Sequence, residues 1–105
     1  MSKTRLTAGI ALCFLSAAVG WADKDPKEIF LDKCSVCHGP DGTGKTAKGK
    51  KLKVKDIHET VTKESQADMI KIATEGKGKD MDGFGKEFTP AQIKELVEYY
   101  RSLAK

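Results

Sequence analysis

Apolar residues recur at helical spacing most clearly toward the C-terminal end, where Ile93, Leu96, Val97, Tyr100 and Leu103 fall on one face. The stretch Thr89-Pro90-Ala91-Gln92 ahead of them is a start signal: an N-cap hydroxyl, a first-turn proline and a glutamine placed to close a capping box. Asp25-Pro26 with Glu28 repeats that signal and predicts a helix from about Pro26 toward Cys37, stopped by Gly39-Pro40. Between them, Ser65 and Asp68 open a shorter predicted helix carrying Ile70 and Ala73, with Gly76 as its terminator. No alternating run is long enough to require a strand; Leu52-Lys53-Val54-Lys55 comes nearest and is short. The domain is therefore expected to be all-α. Beyond the N-terminal region, glycines fall into two groups, Gly39 to Gly49 and Gly76 to Gly85, so two permissive loops bracket the middle helix.

The extreme N-terminus follows another logic. Lys3 and Arg5 precede an apolar run from Leu6 to Val19, and Gly20-Trp21-Ala22 offers small residues where a signal peptidase reads, so cleavage is expected after Ala22. The run is shorter than the roughly 20 residues that cross a bilayer, which argues against a permanent anchor. Residues 1–22 are thus expected to be an export signal and residues 23–105 one domain, periplasmic, with no stable membrane insertion once the signal is gone. The full chain has 105 residues, a formal charge of +4 and 32% charged residues, ordinary for one small globular domain. A chain this short makes a thin core and usually needs a staple such as a disulfide, a metal or a bulky cofactor.

Candidate chemistry concentrates in Cys34-Ser35-Val36-Cys37-His38-Gly39. Export means an oxidising compartment, where such a cysteine pair would close into a disulfide unless put to another use. A structural zinc site wants four ligands, and downstream only His58 remains, while Cys37 and His38 are awkward neighbours on one tetrahedral ion. A dithiol redox couple belongs at a helix start after a strand, not at a helix end in an all-α chain. Covalent haem attachment fits all parts: cysteines three apart on a helix face one way and can form two thioethers to one porphyrin edge, while the next residue turns its imidazole to the iron. One competing motif, Gly39-Pro40-Asp41-Gly42-Thr43-Gly44-Lys45-Thr46, matches the phosphate-loop pattern letter for letter. That pattern has meaning only between a buried strand and a helix in a larger α/β domain, so a glycine-rich turn is expected instead.

Three segments together resemble the small bacterial monohaem class I cytochromes c: K-E-I-F-L-D-K-C-S-V-C-H-G over 27–39, G-K-G-K-D-M-D-G-F-G over 76–85, and T-P-A-Q-I-K-E-L-V-E-Y-Y over 89–100. The resemblance implies the class I cytochrome c fold, with N- and C-terminal helices packed across each other, here through Phe30 against Leu96 and Tyr99 or Tyr100, around one covalently bound haem c. It implies Cys34 and Cys37 as attachment points and His38 and Met81 as the iron's axial ligands. Met69, inside the middle helix, is expected to fill core, and His58 to be solvated; both remain alternatives for the sixth position, as does an open iron. Family members often carry proline directly after the methionine. Asp82 stands there instead, which predicts a less rigid loop with a carboxylate near the haem.

The function implied is electron carriage by a soluble monomer without a catalytic residue, not an enzyme. Its partners would be redox proteins, with acidic patches facing Lys45, Lys48, Lys50, Lys51, Lys53 and Lys55, a run free of acidic residues. No nucleic acid is expected, because no aromatic platform accompanies these lysines. The alternatives are a haem enzyme or sensor with a displaceable sixth ligand, and an electron-input subunit of a larger oxidoreductase.

Overall fold

The computed structural model describes residues 25–105; the expected export signal, residues 1–22, lies outside them. In chain order the elements are α1 (Pro26–Lys33), α2 (Ser35–His38), α3 (Ala47–Leu52), α4 (Ile57–Thr60), α5 (Gln66–Glu75), a two-residue pair β1 (Gly76–Lys77) and β2 (Met81–Asp82), and α6 (Pro90–Ser102).

The start signals act as their chemistry dictates. The Asp25 carboxylate accepts from the Lys27 amide at 3.0 Å, and Pro26 occupies the first turn, where no intrahelical donor is needed. At α6 the capping box closes both ways: Thr89 Oγ1 accepts from the Gln92 amide at 3.1 Å, and Gln92 Oε1 accepts from the Thr89 amide at 2.9 Å. Ser65 caps α5 through the Asp68 amide at 3.1 Å, and Gly76 ends it at φ 87°.

The first helix is not continuous through Cys37 as its sequence suggests. Ser35 Oγ donates to the Leu31 carbonyl at 2.6 Å, occupying the acceptor that the helix ladder would use, and Cys34 opens to φ −116°. A separate turn, α2, then carries Cys37 and His38.

Both α1 and α5 pack on α6. The described core is Ile29, Phe30, Ile57, Met69, Ala73, Phe88, Ile93, Leu96 and Val97, taken from α1, α4, α5 and α6 with Phe88 from the loop before α6. Phe30, 1% exposed, is the joint between α1 and α6: its ring lies 5.5 Å from those of both Tyr99 and Tyr100, stacked on the latter at 23°. Burying a ring of this size contributes about 1.5–3 kcal/mol, with up to about 1.5 more from aromatic geometry.

The hairpin is attached to the end of α5. The last carbonyls of a helix lack partners within it; here Ile72 O accepts from the Gly76 amide, Ala73 O from Phe84 at 2.8 Å, and Thr74 O from Gly85 at 3.0 Å. Gly83 makes that approach possible, since a Cβ there would lie 2.5 Å from the Thr74 carbonyl oxygen. Lys77 pairs with Met81 and Gly76 with Asp82, so the segment expected to be loose for want of a proline is held by pairing.

Candidate functional site

The helices leave one large cleft of about 530 Å³, within the roughly 300–1,000 Å³ typical of ligand sites. Cys34, Cys37 and His38 line it from the α2 turn, Met81 from the hairpin, and Phe30, Met69 and Leu96 from the core. The four residues singled out in the sequence therefore face one space, although Met81 is far from the cysteines along the chain.

Local structure holds the α2 turn in place. Cys37 and His38 amides both bond to the Cys34 carbonyl, at 3.2 and 2.9 Å. Thr46 Oγ1 reaches back to the carbonyls of Val36 and Cys37 at 2.8 and 3.1 Å, while it accepts from the Gly49 amide at 2.9 Å. Gly49 packs so closely against the Cys37 and Gly44 carbonyls that no side chain fits there. The phosphate-loop lookalike is explained by the same contacts. Its Gly42, Thr43 and Gly44 amides are committed to Gly39 O, Asp41 Oδ1 and His38 O, so these three are not free to cradle an anion.

The thiols of Cys34 and Cys37 are free and half-buried. Burial, with a smaller contribution from neighbouring Cys37, pushes the Cys34 thiol up to about 11, so it stays protonated at neutral pH. Burial also lowers the His38 pKa, which favours the neutral imidazole that a metal requires. No cluster of three or more His, Cys, Asp or Glu side chains that could hold a metal ion occurs among the described residues.

Competing ligands are placed elsewhere or occupied. His58 is on the surface, its side chain 53% exposed and its Nδ1 2.8 Å from Asp56 Oδ1. Met69 reaches the cleft, but its sulfur accepts from Arg101 Nη1 at 3.5 Å, and the same nitrogen donates to the Glu64 carbonyl at 2.9 Å. The Met81 sulfur has no such partner among the described hydrogen bonds.

One site residue was missed as such in the sequence. Tyr100 appears there as part of the apolar stripe of α6 and as a packing partner for Phe30, yet its hydroxyl lies 3.2 Å from His38 Nδ1. The signal was present: a tyrosine in a buried stripe brings a hydroxyl that needs a partner. Burial first, then the charges of Asp56 and Glu64, push its phenol up to about 12.

The cleft suits a flat macrocycle with apolar faces: its floor is aromatic and aliphatic, two unpaired thiols lie on one wall, and nitrogen and sulfur donors are available from separate elements. At its mouth, Lys48, Lys53 and Lys55 bring the positive run to the rim, with Asp80 and Asp82 on the hairpin side.

Comparison with known proteins agrees with this chemistry. A solved structure, the KustC0563 c-type cytochrome, superposes on 78% of this chain and 100% of its own with a TM-score of 0.71 and 31% identity. The cbb3-type cytochrome c oxidase subunit FixP of Azorhizobium caulinodans is 32% identical over 82 residues, 78% of this chain but 27% of FixP. The chain thus spans about a quarter of that relative's length. Residues 22–99 match the family described as cytochrome C oxidase, cbb3-type, subunit III. With that match covering most of the chain, the protein belongs to this cytochrome c family, whose members carry haem c, and its iron, covalently attached.

Proposed function

We propose that residues 23–105 form a soluble periplasmic electron carrier, exported by residues 1–22, in which Cys34 and Cys37 hold one haem c and His38 and Met81 ligate its iron. What supports the reading is the single cleft whose walls carry all four residues. Bound haem supplies a one-electron couple. The thiols fix its edge covalently, so an exported protein cannot lose it. His38 presents neutral nitrogen and Met81 a soft thioether that favours the reduced metal. Phe30, Leu96 and Val97 exclude water from the cleft floor. With His38 and Met81 both holding the iron, no position for substrate would remain, and electron exchange would be outer-sphere. No helix among the described residues is long and apolar enough to cross a membrane.

The test uses the mature protein made with working cytochrome-maturation machinery. Its mass should exceed that of its amino acids by one haem, the ferric form should show the weak far-red sulfur-to-iron band, and the untreated ferrous form should refuse carbon monoxide. A peptide-only mass rejects attachment; prompt carbon monoxide binding rejects Met81 ligation and favours the gas- or peroxide-binding alternative.

The rim lysines carry a further expectation. Lys48→Glu with Lys55→Glu should slow electron exchange with the natural partner about tenfold at low ionic strength, converge with the parent at high salt, and leave the midpoint potential in place. Stopped-flow rates across a salt series check this, and equal rates at every ionic strength would exclude docking through that rim.

A second reading is favoured by the likeness to FixP, an oxidase subunit. In it the same haem domain is the electron-input part of a larger oxidoreductase and does not diffuse. Copurification with membrane oxidase under mild detergent separates the two.

A further inference from the structure

We propose that Tyr100 is the residue that orients the His38 ring and tunes it as a ligand, by accepting a hydrogen bond from Nδ1; this rests on His38 being the nitrogen ligand. Tyr100 is then a positioning residue that acts on the metal through the imidazole.

The geometry is that of a built contact. The Tyr100 hydroxyl lies 3.2 Å from His38 Nδ1, at the long end of N–H···O hydrogen bonds, and the two rings meet edge to face with centroids 5.0 Å apart at 63°. Tyr100 is not free to wander. It stacks on Phe30, the most buried residue of α1, and sits on α6, whose start is locked by the Thr89–Gln92 capping box. The contact spans 62 positions of sequence, so it forms only when α6 docks across the α2 turn.

Chemistry fixes its direction. In an unligated imidazole either nitrogen can carry the proton. Once Nε2 is committed to a metal, Nδ1 holds the proton and must donate it, and the facing phenol oxygen can accept. An acceptor at Nδ1 pulls the ring toward imidazolate, makes Nε2 a stronger donor and stabilises the oxidised metal. It also restrains rotation of the ring about its Cβ–Cγ bond, which ligation at Nε2 alone leaves free.

The experiment compares Tyr100→Phe with Tyr99→Phe in the haem-loaded protein. Both variants keep the ring that packs on Phe30, but only the first removes the acceptor. Tyr100→Phe should raise the midpoint potential by about threefold in the one-electron equilibrium constant, the low end of what a hydrogen bond contributes. That equals about 28 mV at ~59 mV per tenfold. Tyr99→Phe should leave the potential unchanged. Independently of any variant's folding, the reduced parent labelled with ¹⁵N-histidine should show a nuclear Overhauser contact between the His38 Nδ1 proton and the Tyr100 ring. Equal potentials in parent and Tyr100→Phe, or no such contact in the parent, would overturn the proposal. Failure of the ligand assignment shows differently: the His38 carbon-bound ring protons would then lack the strong upfield shift of a ring held over a macrocycle.

Discussion

Replacing Met81 with alanine is expected to abolish the far-red band of the ferric protein, open the ferrous protein to carbon monoxide, and lower the midpoint potential by on the order of 0.2 V, within the roughly 0.8 V that axial ligation commands. The direction follows from the donor: a soft thioether stabilises the reduced metal, and the water or hydroxide that succeeds it prefers the oxidised one. The site offers no ready substitute. Met69 keeps its sulfur engaged by Arg101, and His58 is on the surface beside Asp56. Met69→Leu is therefore the matched control and should keep the band, at a cost in stability alone. Retention of the band in Met81→Ala, or its loss in Met69→Leu, would move the ligand to the other methionine.

A chain lacking both attachment thiols, Cys34→Ala with Cys37→Ala, should contain no covalently bound haem and should fail to hold its tertiary structure. The cleft of about 530 Å³ does not lie beside the core; Phe30, Met69, Ala73, Leu96 and Val97 belong to both. Losing the group that packs against this shared lining removes apolar burial on which a chain of this size depends. The measurements are the mass of the denatured protein and the cooperativity of unfolding followed by circular dichroism. A sharp, native-like transition in the haem-free double variant would show that the helices carry their own core.

The long helices were legible because their signals are local. Thr89 with Gln92, Ser65 with Gly76, and Asp25 with Pro26 mark ends that need no tertiary help to be recognised. The short helices α3 and α4 were not, being below the length at which a helix holds itself together. Contacts distant in sequence hold them: Gly49 against the Cys37 carbonyl, and the Ile57 amide on the Gly42 carbonyl at 2.9 Å. The β1–β2 pair escaped for the same reason, since strands of two residues have no periodicity to show. At the site, cysteine spacing and the adjacent histidine declare themselves. Met81 needed the family resemblance, because a lone methionine in a polar loop has no pattern. The partner of His38 could not be named from the sequence, since the Tyr100 hydroxyl, 3.2 Å from Nδ1, lies 62 positions away along the chain.

The use of α5's spare carbonyls to hold the hairpin makes the end of that helix a mooring for the methionine. Ala73 and Thr74 bond to Phe84 and Gly85, just beyond Met81, so the last turn of α5 cannot fray without slackening the segment that carries the sulfur. If Met81 ligates the iron as proposed, its release is a sub-global opening shared by a helix terminus and a loop, not the rotation of one side chain. Any agent that loosens the helix end, whether a glycine substitution there, warming or mild denaturant, reaches the thioether while α1 and α6 are still clasped around Phe30.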